Sequence, residues 1–493
     1  MACQAPAASS IHTAVEANDM EAGNPLTAVT VGPEAAGTVE ELHQALLGGW
    51  RQESSSTSLE ECNSTVRVPE DGAAWWKQWA AYVGVGFLVA VGYMDPGNWA
   101  TNIAAGSQFG YTLLIAVLLS SGTAMFLQHL SLKLGVACSR DLAQACRDAY
   151  PTKVAYGLWF IAEVAIASTD LAEVIGSAVA FNLLFGLPIW AGVLITAADV
   201  LFIILFGIKH FRLLEILVMS LCMVITGCFA YEVGAAKPDW ADVASGFIPK
   251  GKIVTNSEIL YAAIGILGAT VMPHNLFLHS SIVQTRAFAR SQRGRKCAVK
   301  YATIDSHMSL LLAFFVNAAM LIVASAVFHY GKNPNSTVAD ITTAFRLLEP
   351  ALGNKIAPKL FAIALLCSGQ QATITGTLSG QIVMEGFLKI RIPPWARRLL
   401  TRLIAIIPAA IVAAVLGNEA VGKLLVLSQV LLSLTLTFAV VPLVQFTSTH
   451  SKMKEFTNPL WIKIIGILVA AIIAGLNCFL VVKSIKDNSF GTA

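Results

Sequence analysis

From Trp75 onward, apolar runs alternate with short polar connections, and each run has roughly the 20 residues that a bilayer requires of a crossing helix. About eleven such runs are expected, centred near Met94, Ala116, Ala167, Ala198, Cys222, Met272, Met320, Thr373, Ile407, Leu432 and Val469. Two of them are interrupted. Residues 85–105 carry Asp95-Pro96-Gly97-Asn98 in mid-run, and residues 259–282 carry Met272-Pro273-His274-Asn275. On a soluble surface Asp-Pro-Gly-Asn would be an ordinary turn. Here apolar sequence flanks it on both sides, so the turn falls at membrane depth. A carboxylate there costs about 2.5–3.5 kcal/mol on insertion scales, and Pro96 breaks the helix. Non-helical backbone is tolerated at that depth only when it is buried in protein or lines a wet cavity. The pattern therefore predicts two helices opened inside the membrane.

Breaks in corresponding positions of two halves point to a transporter's substrate site. Asp95 offers a hard carboxylate, Asn98 an amide oxygen and Met272 a soft thioether. Sulfur beside oxygen donors favours a transition-metal ion over calcium or magnesium. A methionine taken alone is more often a filler of core gaps. Its place at one break, opposite an aspartate at the other, makes Met272 a ligand candidate. The third run adds Glu163, Asp170 and Glu173. Asp170 and Glu173 are three residues apart on one face, and Glu163 lies two turns before Asp170 on the same side. Carboxylates in an apolar span mark an ion or proton path, the alternative being a set of neutralised buried pairs. Arg402, His274 and His279 are their candidate partners, with His279 expected to be structural.

Because the breaks fall in the first and sixth runs, the natural repeat is five plus five, which inverts the second copy in the membrane. The expected bounds are 75–235 for repeat one and 256–447 for repeat two, with an additional helix over 460–482. Basic residues gather in the connections 133–153, 209–212, 286–300 and 389–398, all on one side of that topology, which the positive-inside rule makes cytoplasmic. The N-terminus then lies in the cytosol. The connection 330–359 lies opposite and carries the glycosylation sequon Asn335-Ser336-Thr337, whereas the sequon at Asn63-Ser64-Thr65 is cytosolic and silent.

Composition agrees with a membrane protein. Hydrophobic residues make up 56% and charged residues 13%, with a mean hydropathy of +0.66, against about 25% charged in soluble domains. A formal net charge of +3 gives no basis for nucleic-acid binding. The nine cysteines form no Cys-x-x-Cys pair and no Cys/His cluster, so neither a disulfide framework nor a zinc site is expected, and no cofactor is implied. Residues 1–74 are a different material, acidic and rich in Ala, Ser, Thr and Gly without a long apolar run. They are expected to be a disordered cytoplasmic tail with no secretory signal peptide and one short amphipathic helix over 38–47. The body is 75–493.

Tyr93-Met94-Asp95-Pro96-Gly97-Asn98 and Met272-Pro273-His274-Asn275 resemble the two signature breaks of the Nramp family of proton-coupled divalent-metal transporters. The stretch Ser368-Gly369-Gln370-Gln371-Ala372-Thr373-Ile374-Thr375-Gly376-Thr377, running on to Gly380-Gln381, is similar to that family's transport signature. The resemblance implies an all-α integral membrane fold of the LeuT-like kind, with about eleven helices and discontinuous first and sixth members. It implies that the Gly92 and Ala269 carbonyls and the Gln429 amide join Asp95, Asn98 and Met272 around the ion; an interhelical hydrogen bond is the alternative for Gln429. It gives Asp170 and Glu173 to proton exit, Glu163 and Arg402 to the same network, and His274 to proton conduction and gating. Two positions depart from the family pattern. Asn102 stands where many relatives have an acid, and Thr437 where a proline is common.

The expected activity is proton-coupled symport of Mn2+ or Fe2+, with Cd2+, Co2+ and Zn2+ as related ions, toward the cytosol by alternating access. The partners are then metal ions, protons and lipid, with the oligomeric state left open. The membrane is the plasma membrane or an endosomal or vacuolar one. Two rivals remain at this point. A sodium-coupled carrier of an organic solute would need a helix N-terminus free for a substrate carboxylate, which Asp95 would repel. A metal-sensing signalling protein built on a transporter body would carry a large soluble C-terminal domain. No nucleophile elbow, phosphate loop or zinc motif argues for an enzyme.

Overall fold

The computed structural model describes residues 58–69, 73–196, 211–331, 341–390 and 417–486, together with 403, 404, 407 and 411. All of these lie in one compact unit, Leu47–Ala493. Apart from the strand pair β1 (Val66–Arg67) and β2 (Arg286–Ala287), which run parallel, the regular structure is helical. The helices used below are α1 (Trp75–Tyr82), α2 (Val85–Ala90), α3 (Pro96–Phe109), α4 (Leu114–Cys138), α5 (Leu142–Ala149), α6 (Thr152–Phe185) and α7 (Phe211–Ala236). They continue with α8 (Ser257–Thr270), α9 (Pro273–Ile282), α10 (Gln292–Ala324), α11 (Ile341–Leu352), α12 (Ile356–Leu388), α13 (Gly417–Thr447) and α14 (Leu460–Lys486).

Among the described residues, seven stretches are long and apolar enough to cross a membrane. They are Pro96–Cys138, Thr152–Phe185, Phe211–Ala236, Ser257–Thr285, Gln292–His329, Leu427–Thr447 and Leu460–Phe479. The first of these joins α3 to α4 through a 3-10 turn over Gly110–Leu113. The run expected around Thr373 is α12, whose buried Ser368, Gln371, Thr373 and Thr375 dilute its hydropathy. The expected centre at Ala198 and the residue Arg402 fall outside the described residues, as does the predicted helix over 38–47. The chain is an all-α integral membrane fold with several apolar transmembrane helices.

Both interrupted runs are opened in the structure. After α2 the backbone tightens into a 3-10 turn, Val91–Tyr93, then extends at Asp95 before Pro96 starts α3. After α8, Val271 and Met272 are extended, and Pro273 starts α9. Proline suits the first helical position because its missing N–H would have had no partner there. The carbonyls freed at the first break find side-chain donors. Asn317 of α10 bonds Tyr93 O, and Ser368 of α12 and Trp99 Nε1 bond Met94 O at 2.6 and 3.1 Å. Trp99 is fully buried, held edge-on by Phe229 and Phe361 with ring centroids 4.9 and 5.1 Å away.

The packing is reciprocal. Helix α10, which follows the second break, lies against both arms of the first, α2 and α3. Helix α4, which follows the first break, lies against both arms of the second, α8 and α9. Helix α6 fills the space between α12 and α13, and Gly176 on it receives the Pro96 ring at a distance that no Cβ would allow. The last helix, α14, is peripheral and carries exposed Trp461, Ile464 and Leu468. It is tied to α13 by Asn477, which bonds Ser433 and, at 3.0 Å, Thr437 Oγ1. Thr437 is thus an anchor point for α14, a use that the family's proline would not permit.

One expectation is corrected. Residues 58–69 belong to the body and not to a disordered tail: Leu59 and Cys62 are buried, and β1 pairs with β2. Few apolar residues suffice here because the segment lays its backbone onto donors and acceptors already presented by the helix ends.

Candidate functional site

Asp95 caps the N-terminus of α3. Its two carboxylate oxygens accept from Gly97 N at 3.0 Å and Asn98 N at 3.1 Å, the geometry that satisfies a helix's first free N–H groups. The helix dipole adds a favourable field for the negative charge. Asn98 Nδ2 donates both to Asp95 Oδ1 and, across the two breaks, to Ala269 O at 3.0 Å. One amide therefore bridges a carboxylate on the first broken helix and a freed carbonyl on the second. Thr270 Oγ1 stands 3.5 Å from Asn98 Oδ1 and bonds back to Ile266 O. Asp95 and Asn98 are 1% and 0% exposed, so this polar cluster is sealed inside the protein.

Met272 is in the second break, three residues from Ala269, and is fully buried against Ala165 of α6 and Leu432 of α13. Gln429 precedes Leu432 by one turn, and its amide presses on Gly97, where a Cβ would overlap it. Its Oε1 is buried with no hydrogen-bond partner among the described residues. A cavity of about 250 Å³ runs from Gln429 along Ala100, Thr101, Ala104 and Gln108 of α3, with Tyr261 and Gly265 of α8 on its other wall. It leads away from the breaks toward the Phe109 end of α3. Gly92 sits in the 3-10 turn with Asn275 of α9 packed against it.

The expected proton-path residues divide. His274 Nδ1 is 3.2 Å from Thr169 Oγ1, and the neighbouring Asp170 lies within electrostatic reach of the imidazole. Asp170 and Glu173 are fully buried on α6. Glu163, half-buried, accepts from Trp159 Nε1 at 3.2 Å. His279 Nδ1 instead pairs with Gln128 Oε1 at 2.9 Å, while Gln128 Nε2 donates to Tyr93 Oη at 2.8 Å. That chain braces α9 against α4 and the first break.

Several participants escaped the sequence reading. Asn317 links Tyr93 O to Asn102, whose Nδ2 donates to Asn317 Oδ1 at 2.8 Å. A lone amide in the apolar run around Phe315 and Met320 was the available signal for it. Gln128, Thr270 and Ser120, the last 3.3 Å from Thr270 Oγ1, gave weaker signals because small polar residues are common in membrane helices. No group of three or more His, Cys, Asp or Glu is gathered among the described residues. A cation held at the breaks would instead meet one carboxylate, amides, a carbonyl and a thioether. That donor set fits a borderline-soft divalent ion.

Residues 86–483 match the family model for natural resistance-associated macrophage protein-like proteins, Nramp. The chain belongs to the Nramp family. It is 54% identical over 444 residues to the divalent metal cation transporter MntH of Bradyrhizobium diazoefficiens, covering 90% of this chain and 97% of that one. Against the MntH of Listeria monocytogenes serotype 4a the identity is 52% over 431 residues, covering 87% and 96%. Among solved structures, the Eremococcus coleocola manganese transporter, crystallised with an aromatic bis-isothiourea substituted compound, superposes with a TM-score of 0.78 at 42% identity. That match covers 86% of this chain and 90% of the other. The Nramp match spans both helix breaks and the stretch around Gln371, so the three motifs lie inside one family domain.

Proposed function

We propose that this Nramp chain is a secondary active transporter that moves divalent transition-metal ions, Mn2+ or Fe2+ foremost, together with protons and toward the cytosol. The observation that carries this reading is the Asn98 amide bridging the Asp95 carboxylate and the Ala269 carbonyl. Two acceptors that share one donor are what a cation would take over. Rotation of the carboxamide would then turn its oxygen toward the ion, and Met272 would add sulfur from the same break. Cd2+, Co2+ and Zn2+ suit the same ligands.

The reciprocal packing of α10 on the first break and α4 on the second supports a five-plus-five inverted repeat, which in this reading has discontinuous first and sixth members in a set of about eleven helices. The cavity beside Gln429 supplies an entry from the Phe109 side. On the Val85 side the path is closed by close helix contacts, such as Gly135 of α4 on the Ser280 carbonyl of α9. With Asp95, Asn98 and Met272 sealed, this is an occluded state whose remaining cavity faces outward if the basic connections lie in the cytosol. The N-terminal segment is then cytosolic too. His274, Thr169, Asp170 and Glu173 form the proton route along α6, with Glu163 and Arg402 as further members.

The energetics suit uphill uptake. One divalent ion moving with one proton carries three charges, and 100 mV of membrane potential then supplies about 7 kcal/mol. The test is radiolabelled manganese uptake into proteoliposomes with an inward proton gradient and no sodium. Uptake that requires sodium instead, or fails to rise as the outer solution is acidified, would overturn the reading in favour of a sodium-coupled carrier on the same fold.

A further inference from the structure

Residues 58–67 run across the Val85-side end of the helix bundle and bond to three elements that are far apart in the chain. Leu59 N donates to Glu385 Oε2 at the end of α12, 2.9 Å away. Ser58 Oγ meets Gln144 Nε2 at 3.4 Å and the Asp141 carboxylate, the two residues that form the capping box of α5. Ser64 N donates to Gln284 O in the turn that follows α9, at 3.1 Å, and Val66 pairs with Arg286. Leu59 and Ser64 both adopt positive φ, 51° and 55°, a conformation that non-glycine residues seldom hold without surroundings that impose it. The docked shape is therefore made by the surface beneath it.

That surface lies over a seam. The end of α9 is bonded to α5 through Leu142 N and Ser280 Oγ at 2.9 Å, and α5 to α12 through Arg147 and Gly386 O. Between α9 and α12 themselves stands the ring contact of Phe277 with Phe387, centroids 5.9 Å apart. We propose that Glu385, Asp141, Gln144, Gln284 and the edge of β2 form a docking site for this chain's own residues 58–67, and that the docked segment is a latch which must release before the Val85 side opens. Because α9 carries His274 and starts directly after Met272, the latch governs how often the ion reaches that side. This rests on the transporter reading for its consequence, but not for the docking itself.

The chain carries its own reporter. Cys62 is 1% exposed when docked, and burial pushes its thiol up to about 11, so it is inert to maleimides until the segment lifts. The experiment uses the full-length protein in proteoliposomes, with mass-spectrometric readout of labelling. Cys62 should label about tenfold faster under a manganese and proton gradient than without one. Ser281→Cys, two turns beyond His274 on α9 and 4% exposed, should label about tenfold faster when residues 1–67 are deleted. Should that deletion fail to fold, Leu59→Ala in the full chain serves for the second reading, and added peptide 58–69 should restore protection. A Cys62 rate indifferent to the gradient, or an unchanged rate at position 281, overturns the latch. Manganese uptake is followed in the same vesicles. Vesicles without uptake count against the transporter reading, and the latch is then decided by the position-281 comparison, which needs no metal.

Discussion

The Asn98 side-chain amide donates to the Ala269 carbonyl at 3.0 Å, so a hydrogen bond joins the two helix breaks directly. The same nitrogen serves Asp95, whose remaining bonds come from the backbone of α3 itself. The arrangement is a closed polar cluster built around one carboxylate. Removing the charge while keeping the shape separates binding from folding. Asp95→Asn should fold, since an amide oxygen can still cap α3, yet lose metal affinity by about a hundredfold or more. Asn98→Ala should lose about tenfold to a hundredfold. Isothermal titration with Mn2+ and uptake rates check both. Tight binding retained in Asp95→Asn would remove this carboxylate from the site.

Met272 packs against Ala165 and Leu432, so truncation opens a hole as well as deleting sulfur, at about 2–5 kcal/mol of stability. Ratios between ions cancel that shared cost. Met272→Ala should lose Cd2+ transport more than Mn2+ transport and admit Ca2+ or Mg2+, because hard ions gain nothing from a thioether. Competition of each ion against radiolabelled manganese measures this. Continued exclusion of Ca2+ would mean that the sulfur does not set selectivity.

How far these features could be read from sequence depends on whether their physics is local. Pro96, Gly97 and Asp95 conflict with the apolar run around them, so the first break is visible without any partner, as is the second at Pro273. Asp170 and Glu173 are legible for the same reason, being charges where charge is costly. The bridge from Asn98 to Ala269 spans 171 residues and follows no periodicity, so sequence could name its members but not its bonds. Asn317 is not legible in this way, because one amide in an apolar run resembles any interhelical hydrogen bond. The docking of residues 58–69 was illegible for a stronger reason: a polar segment with two apolar anchors has the composition of a free tail, and its order comes wholly from helix ends distant in sequence.

Acid-driven transport should depend on α6. His274 is bonded to Thr169 with Asp170 beside it, and on the proposed reading a proton released when the ion binds would pass along that helix. Asp170→Asn should retain manganese binding but lose most of the rise in uptake that acidifying the outer solution produces in the unaltered protein. The sign follows from loading: more protons outside raise the fraction of carriers that bind proton and metal together. Parallel measurements of uptake and of intravesicular pH test it. Unaltered proton movement in Asp170→Asn would place the route elsewhere.

The bracing at the foot of the first break makes a prediction about stability rather than transport. Arg286 and Glu215 are both fully buried, with Nη1 and Oε1 2.7 Å apart. Arg286 Nη2 also donates to the carbonyls of Tyr82 and Val83 at 3.2 and 3.3 Å, where α1 turns into α2. The second partner of Glu215 is Arg212, at 2.8 Å, whose side chain is 44% exposed and therefore screened by water. Arg286→Met leaves the Glu215 carboxylate buried with that weaker partner alone, which should cost about 3–5 kcal/mol. Adding Glu215→Gln removes the stranded charge and should recover much of the loss, because the penalty belongs to the unpaired ion and not to the absent attraction. Thermal unfolding midpoints in detergent distinguish the three proteins. If the double variant is no more stable than Arg286→Met, the cost lies in the lost bonds to Tyr82 and Val83, and the arginine's main task is to hold the entry to α2 in place.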